Sequence, residues 1–204
     1  VLYVNVGDYK NVWDELIRDI PQMRELATEH FDNWKDTKAF ATKALSASQI
    51  NNSDVVTDNN RDDNSKNITA DNSSKDTSDN ITGIHGFYHK NIFEAVYCTN
   101  LLMRSADVLV TKPSELAFYP VPKLFIKRVG GHEQWGAVHS AEIGDGTLEC
   151  RDIPHTLQMI KLFMEDDTYI IDMCKNIKKN KQMGIYNGAY EAVKLAVNMK
   201  KSDI

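Results

Sequence analysis

Arg104 to Ala137, RSADVLVTKPSELAFYPVPKLFIKRVGGHEQWGA, decides how the fold is read. An apolar strand at Val108-Leu109-Val110 leads into a short polar turn. A helical turn opens at Ser114-Glu115, and a second strand follows Pro120-Val121-Pro122. A basic, Gly-containing loop then runs to His132-Glu133-Gln134. Strand, turn, helix, strand is the unit of a parallel α/β sheet. In such sheets ligands sit beyond the carboxyl ends of the strands. Thr111 to Glu115 and Lys127 to Gln134 both fall at that rim. The predicted fold class is α/β: a Rossmann-like parallel sheet with helices on both faces.

The flanking chain repeats the pattern. Val1 to Val6, VLYVNV, reads as a buried strand, and Gly7-Asp8-Tyr9 as the turn after it. Asn11 is a candidate helix cap, with Asp14 and Glu15 where the helix dipole favours acids. Val12, Leu16, Ile17 and Ile20 recur at helical spacing until Pro21. Residues 22 to 46 are moderately helical, with Leu26, Phe31, Trp34 and Phe40 as their large apolar groups. From about Ser46 to Thr82 the chain turns to Asn, Asp, Ser, Thr and Lys. Such composition buries too little apolar surface to offset its ordering entropy, so a disordered insertion is expected there. Asn51, Asn67, Asn72 and Asn80 sit in glycosylation sequons, which arise by chance in a tract of this kind.

Order resumes at Ile81-Thr-Gly-Ile-His-Gly-Phe87. Asn91 caps a helix over Ile92 to Ser105, with Phe93, Val96, Tyr97, Leu101 and Leu102 as its expected core face. A helix through Glu142 should stop at Gly144-Asp-Gly146. Asp152-Ile-Pro154 starts another, carrying Leu157, Ile160, Leu162, Phe163 and Met164 on its apolar side. Thr168 caps the next, whose lysine-rich end at 175–181 suits solvent. A last helix from Gly188 to Lys200 places Tyr190, Val193, Ala196 and Val197 at core spacing. Met159, Met164, Met173 and Met183 read as core filler. The whole is expected to be one domain, 1–204, interrupted at about 46–82.

Composition narrows the function. The 204 residues are 42% apolar and 26% charged, an ordinary globular balance. A net charge of −5 gives no footprint for nucleic acid, and no apolar run is long enough to span a bilayer. Three distant cysteines, Cys98, Cys150 and Cys174, match neither a zinc spacing nor a disulfide framework, so a reducing, cytoplasmic setting is expected. No metal site is expected. No secretory leader is evident. Because the chain opens directly on a strand, it reads as part of a longer protein. P-loop, G-x-S-x-G and HExxH motifs are absent, which leaves NTPase, serine-hydrolase and zinc-protease readings without support.

The rim residues carry what chemistry remains. A helix starting at Ser114 would offer free N–H groups to a phosphate, with Lys112 adding charge and Glu115 able to accept from ribose hydroxyls. The plainer reading is that Ser114 and Glu115 only cap the helix. Lys127 to Gln134 joins a Gly-Gly turn to cations, among them Arg128, and to three side chains able to bond sugar hydroxyls. His132 could act as an acid or base, though a lone His is more often a structural hydrogen-bond partner. Gly7, Asp8, His85 and His89 lie in other candidate rim loops. A single glycine such as Gly7 is usually only a turn.

In order and spacing, these motifs resemble the C-terminal, donor-binding domain of GT-B glycosyltransferases. The motifs are Gly83–Phe87, Ser105-Ala-Asp-Val-Leu-Val-Thr111, Ser114-Glu115-Leu116-Ala117, Val121-Pro122 and His132-Glu133-Gln134-Trp135-Gly136-Ala137. The likeness covers about residues 1 to 10 and 81 to 175, and it is nearest the branch of lipid II synthesis and diacylglycerol glycosyl transfer. It implies a nucleotide-sugar donor, UDP-linked first. Glu115 would hold the ribose, and His132 and Glu133 the sugar. The loop at Gly86-Phe87 would lie near the base, and Gly7-Asp8 would face phosphates and acceptor. It further implies no bound metal or cofactor, an N-terminal acceptor domain supplying the base, and an acceptor at a membrane surface. Here the family's Gly-rich phosphate loop is shortened to Lys112-Pro113, and the insertion stands where a second strand–helix unit is expected. The rival readings are a non-catalytic sensor or scaffold of the same ancestry, and an epimerase-like or hydrolase-like enzyme of the same architecture.

Overall fold

The computed structural model describes residues 1–31, 33–53 and 81–202. The chain is a helix-rich α/β protein with small parallel sheets, and it divides into two compact units, Val1–Ser105 and Ala106–Ile204. Most of the predicted insertion, residues 54–80, lies outside the described residues.

The first unit runs β1 (Leu2–Asn5), α1 (Lys10–Asp19), α2 (Met23–Leu26), β2 (Ala27–Phe31), α3 (Trp34–Ser53), β3 (Ile84–Tyr88) and α4 (Ile92–Leu102). β3 is central and parallel to both neighbours, with His85 opposite Tyr3 on β1 and Thr28 on β2. The strand–helix unit β2–α3 corrects the expectation that the insertion replaces it. The helix itself fills residues 46–53, where disorder is expected from composition.

α1 starts at Lys10 rather than after Asn11, and Tyr9 caps it without a side-chain bond. Its fully buried Trp13 lies across β3, and an added Cβ at Gly86 would meet the indole at 2.5 Å. Trp13 Nε1 donates to Glu29 Oε1 at 3.1 Å, so the same ring fastens α1 to β2.

Asn91 caps α4 as expected, its side chain accepting from Phe93 N at 3.0 Å. The helix is turned differently from the reading by size. Ala95, Cys98 and Leu102 are buried, whereas Phe93, Val96 and Tyr97 are 73%, 53% and 60% exposed. Small side chains let a helix lie close on a sheet, and Asn5 fixes the rotation by donating to Ala95 O and Thr99 Oγ1 at 2.9 and 2.7 Å.

The second unit begins with β4 (Leu109–Thr111), a 3₁₀ turn at Glu115–Phe118 and β5 (Lys123–Phe125), parallel to β4. This is the order expected of the deciding stretch. A further 3₁₀ turn at Gly131–Glu133 leads into α5 (Gln134–Ile143), which ends at Gly144 in the left-handed region, φ 72°. α6 (Ile153–Glu165) has Asp152 as its cap, and Leu124, Cys150 and Phe163 form a core with Met159 and Met173 against it. Each fully buried aliphatic or aromatic side chain there contributes about 1.5–3 kcal/mol. Met164 and Met183 are exposed instead of filling the core.

α7 (Thr168–Gln182) follows, with Asp167 rather than Thr168 in the cap position. A 3₁₀ turn at Ile185–Asn187 precedes α8 (Gly188–Ser202). Tyr190, Val193, Ala196 and Val197, expected in the core, are exposed.

Candidate functional site

β4 and β5 end together at Thr111 and Phe125, and the loops leaving them form one rim. Ile126 N donates to Thr111 O at 2.9 Å, carrying the pairing one residue beyond β5. The two predicted clusters then meet through Glu133. Its Oε1 pairs with Lys112 Nζ at 2.5 Å, and its Oε2 accepts from Val129 N and Gly130 N at 2.8 and 3.0 Å. The bond to Lys112, then those from Gly130 and Val129, hold its carboxyl down at about 2. A carboxylate with three donors in a nearly buried position closes a loop. Glu133 therefore serves the rim from inside, in place of the expected sugar contact.

The other cation is held as firmly. Arg128 pairs with Glu149, its Nη1 at 2.9 Å from Oε2 and its backbone N at 2.8 Å from Oε1. Ser114 makes no side-chain cap, and the turn it precedes is four residues of 3₁₀ helix. So short a turn sums almost no dipole. The predicted phosphate cradle of a helix end with Lys112 and Arg128 is thus replaced by two internal ion pairs. The Glu115 backbone opens this turn, but its side chain lies outside the described residues.

What remains open is the outer edge. Gly131 has no neighbour within 4 Å of an added Cβ, His132 is exposed and folds back over Gly130, and Gln134 is half-buried at the start of α5. Trp135 beside it is 66% exposed. Gly136 is a packing residue: a Cβ there would meet Pro113 O at 2.8 Å, because α5 starts directly on the Lys112–Ser114 turn.

The remaining predicted residues belong to the first unit. Gly7 turns the chain after β1 at φ 64°, its N–H donating to Asn5 Oδ1, and Asp8 is exposed. Phe87 is fully buried in the middle of β3 and stacks on His30 at 4.9 Å, so it is core and not a platform for a base. His85 and His89 are also interior rather than rim residues. His85 bonds His30 at 3.1 Å and Thr82 O at 2.9 Å, and His89 bonds Thr37 Oγ1 at 3.1 Å. Burial pushes the Cys98 thiol up to about 12, which leaves it unreactive.

One constellation was invisible in the pattern of residues. Lys123 is fully buried on β5 and donates to Tyr119 O, Val121 O and Asp145 Oδ2, at 2.8, 3.1 and 2.8 Å. Burial lowers the lysine, and the aspartate partly restores it. Tyr186 OH donates to the same Oδ2 at 2.8 Å, with burial and this bond taking the phenol up to about 12. The available signal was a lysine inside the apolar run Val121 to Ile126.

Among the described residues no group of three or more His, Cys, Asp or Glu could hold a metal ion, and no helix is long and apolar enough to cross a membrane. A family model described as a domain of unknown function, DUF6938, matches residues 1–63 and 47–197. Neither the curated proteins nor the solved structures contain a match.

Proposed function

We propose that this chain, which belongs to the DUF6938 family, is the donor-binding half of a glycosyltransferase-like protein. Its ligand is a nucleotide-sugar, UDP-linked first, and its fold the Rossmann-like half of a GT-B enzyme. The observation that carries this reading is the Lys112–Glu133 pair, which joins the two loops at the carboxyl end of the parallel strands β4 and β5. That is where parallel α/β sheets take their ligands. The neutral part of a donor suits this edge best: sugar hydroxyls meet Gln134 and His132, and the open Gly131 allows close approach. Glu115 takes the ribose by resemblance. The acceptor and the catalytic base come from another domain.

A second reading, a non-catalytic nucleotide-sugar sensor or scaffold, draws on a specific feature as well. Both cations that a departing diphosphate would need are already paired, Lys112 with Glu133 and Arg128 with Glu149. Calorimetry with UDP-sugars tests the shared premise. Binding to the wild-type chain is expected, with Gln134→Ala and Glu115→Ala each weakening it about tenfold or more, the loss of one or two hydrogen bonds to charged or polar partners. Absence of binding to the wild type sinks both readings. Turnover of labelled donor by the full-length protein then separates transferase from sensor.

A further inference from the structure

The rotation of α4 leaves a surface that the donor reading does not use. A groove of about 480 Å³ runs between α3 and α4, with Trp34, Phe93, Tyr97 and Leu101 among the residues lining it. Phe93 and Tyr97 are 73% and 60% exposed, and Val96 beside them is 53% exposed. A contiguous apolar strip of this kind is uncommon on a monomer and marks an interaction site. Its aromatic content matches the anchors of protein interfaces.

Charge indicates what covers it. Lys38 on α3 and Glu94 on α4 also line the groove, one on each wall. Neither enters an ion pair among the described residues, and the Lys38 ammonium rests over the Trp34 ring at 5.1 Å. A two-fold contact brings the same patch of both molecules together, so residue i meets j while j meets i. An apolar strip between one cation and one anion is complementary to itself under that operation. An anionic membrane, by contrast, would need a cluster of cations, and the chain carries a net −5.

We propose that the α3–α4 groove is a homodimer interface. A second copy lays its own α4 face on this one, Phe93 and Tyr97 interleave across the axis, and Lys38 of each copy meets Glu94 of the other.

Sedimentation velocity on the full chain at tens of micromolar tests this. The wild type is expected to be dimeric and Phe93→Glu monomeric, with circular dichroism confirming that the variant is folded. Lys38→Glu and Glu94→Lys each place like charges at both contacts and should weaken dimerisation roughly tenfold. Mixing these two variants restores attraction at both contacts, so the mixture should dimerise more tightly than either variant alone. A monomeric wild type, a dimer indifferent to Phe93→Glu, or a mixture no better than its components would each overturn the proposal.

Discussion

The two units bury polar groups in opposite ways. In Val1–Ser105 imidazoles are packed among aromatic rings: half-buried His30 and buried His85 share a 3.1 Å hydrogen bond, and both rings lie within 5 Å of Phe40, centroid to centroid. In Ala106–Ile204 it holds ions, Lys123 and Asp145, both fully shielded from solvent. Neutral rings can be buried without a counter-charge, but they answer to protons. A buried ion pair supplies its own counter-charge, yet neither member tolerates loss of the other. The first arrangement ties stability to the protonation of His30, the second to the presence of both partners.

The largest effect should come from breaking the ions. Asp145→Ala leaves a buried ammonium without its partner and is expected to cost about 3–5 kcal/mol in urea unfolding. Replacing both, Lys123→Met with Asp145→Leu, should recover most of that loss. If the single and double variants were equally unstable, packing rather than charge would be the cause.

Acid should act next, and on the other unit. His30 sits below its ordinary 6.5, first through burial and then through His85, with Asp36 opposing. A depressed base binds more protons unfolded than folded, so stability rises with pH across the window. It is complete above about 6.5 and is lost as the pH falls from there towards the lower folded value. Thermal melts from pH 7.5 to 5 should show this slope, and His30→Gln should flatten it. An unchanged slope would remove His30 as the responsible group.

The smallest effect concerns the rim. Glu133 ionises at about 2 instead of 4.5, so its contribution is present above 4.5 and lost as the pH falls through that interval. Glu133→Gln at neutral pH removes that contribution and should lower the melting temperature, though by less than either change above. It should also speed hydrogen exchange at the Val129 and Gly130 amides, and protection equal to wild type would mean the loop closes by other means.

How much of this was legible depends on how local the cause is. β4, the turn at Ser114 and β5 were readable because apolar runs and Pro120 and Pro122 mark them within a few residues. The Asn91 cap and the Gly144 stop are equally local. β2 was not: Ala27-Thr-Glu-His-Phe31 carries little strand signal, and it is held by pairing with β3 more than fifty residues on. α4 misled because periodicity weighs side chains by size, whereas the sheet selected Ala95 and Cys98 for closeness. The rim residues were located by their order along the chain. Their occupation was not, since Glu133 finds Lys112, and Arg128 finds Glu149, only after the strands pair.

The contact between α5 and the Lys112–Ser114 turn makes loop length and rim width a single variable. With the Pro113 carbonyl pressed against position 136, extra residues grafted between Thr111 and Ser114 that shift Pro113 inward meet the first turn of α5. Lengthening that loop to wrap a phosphate would push back Gln134 and the Gly130–Gly131 turn together. Engineering tighter anion capture into this protein therefore means redesigning both segments at once.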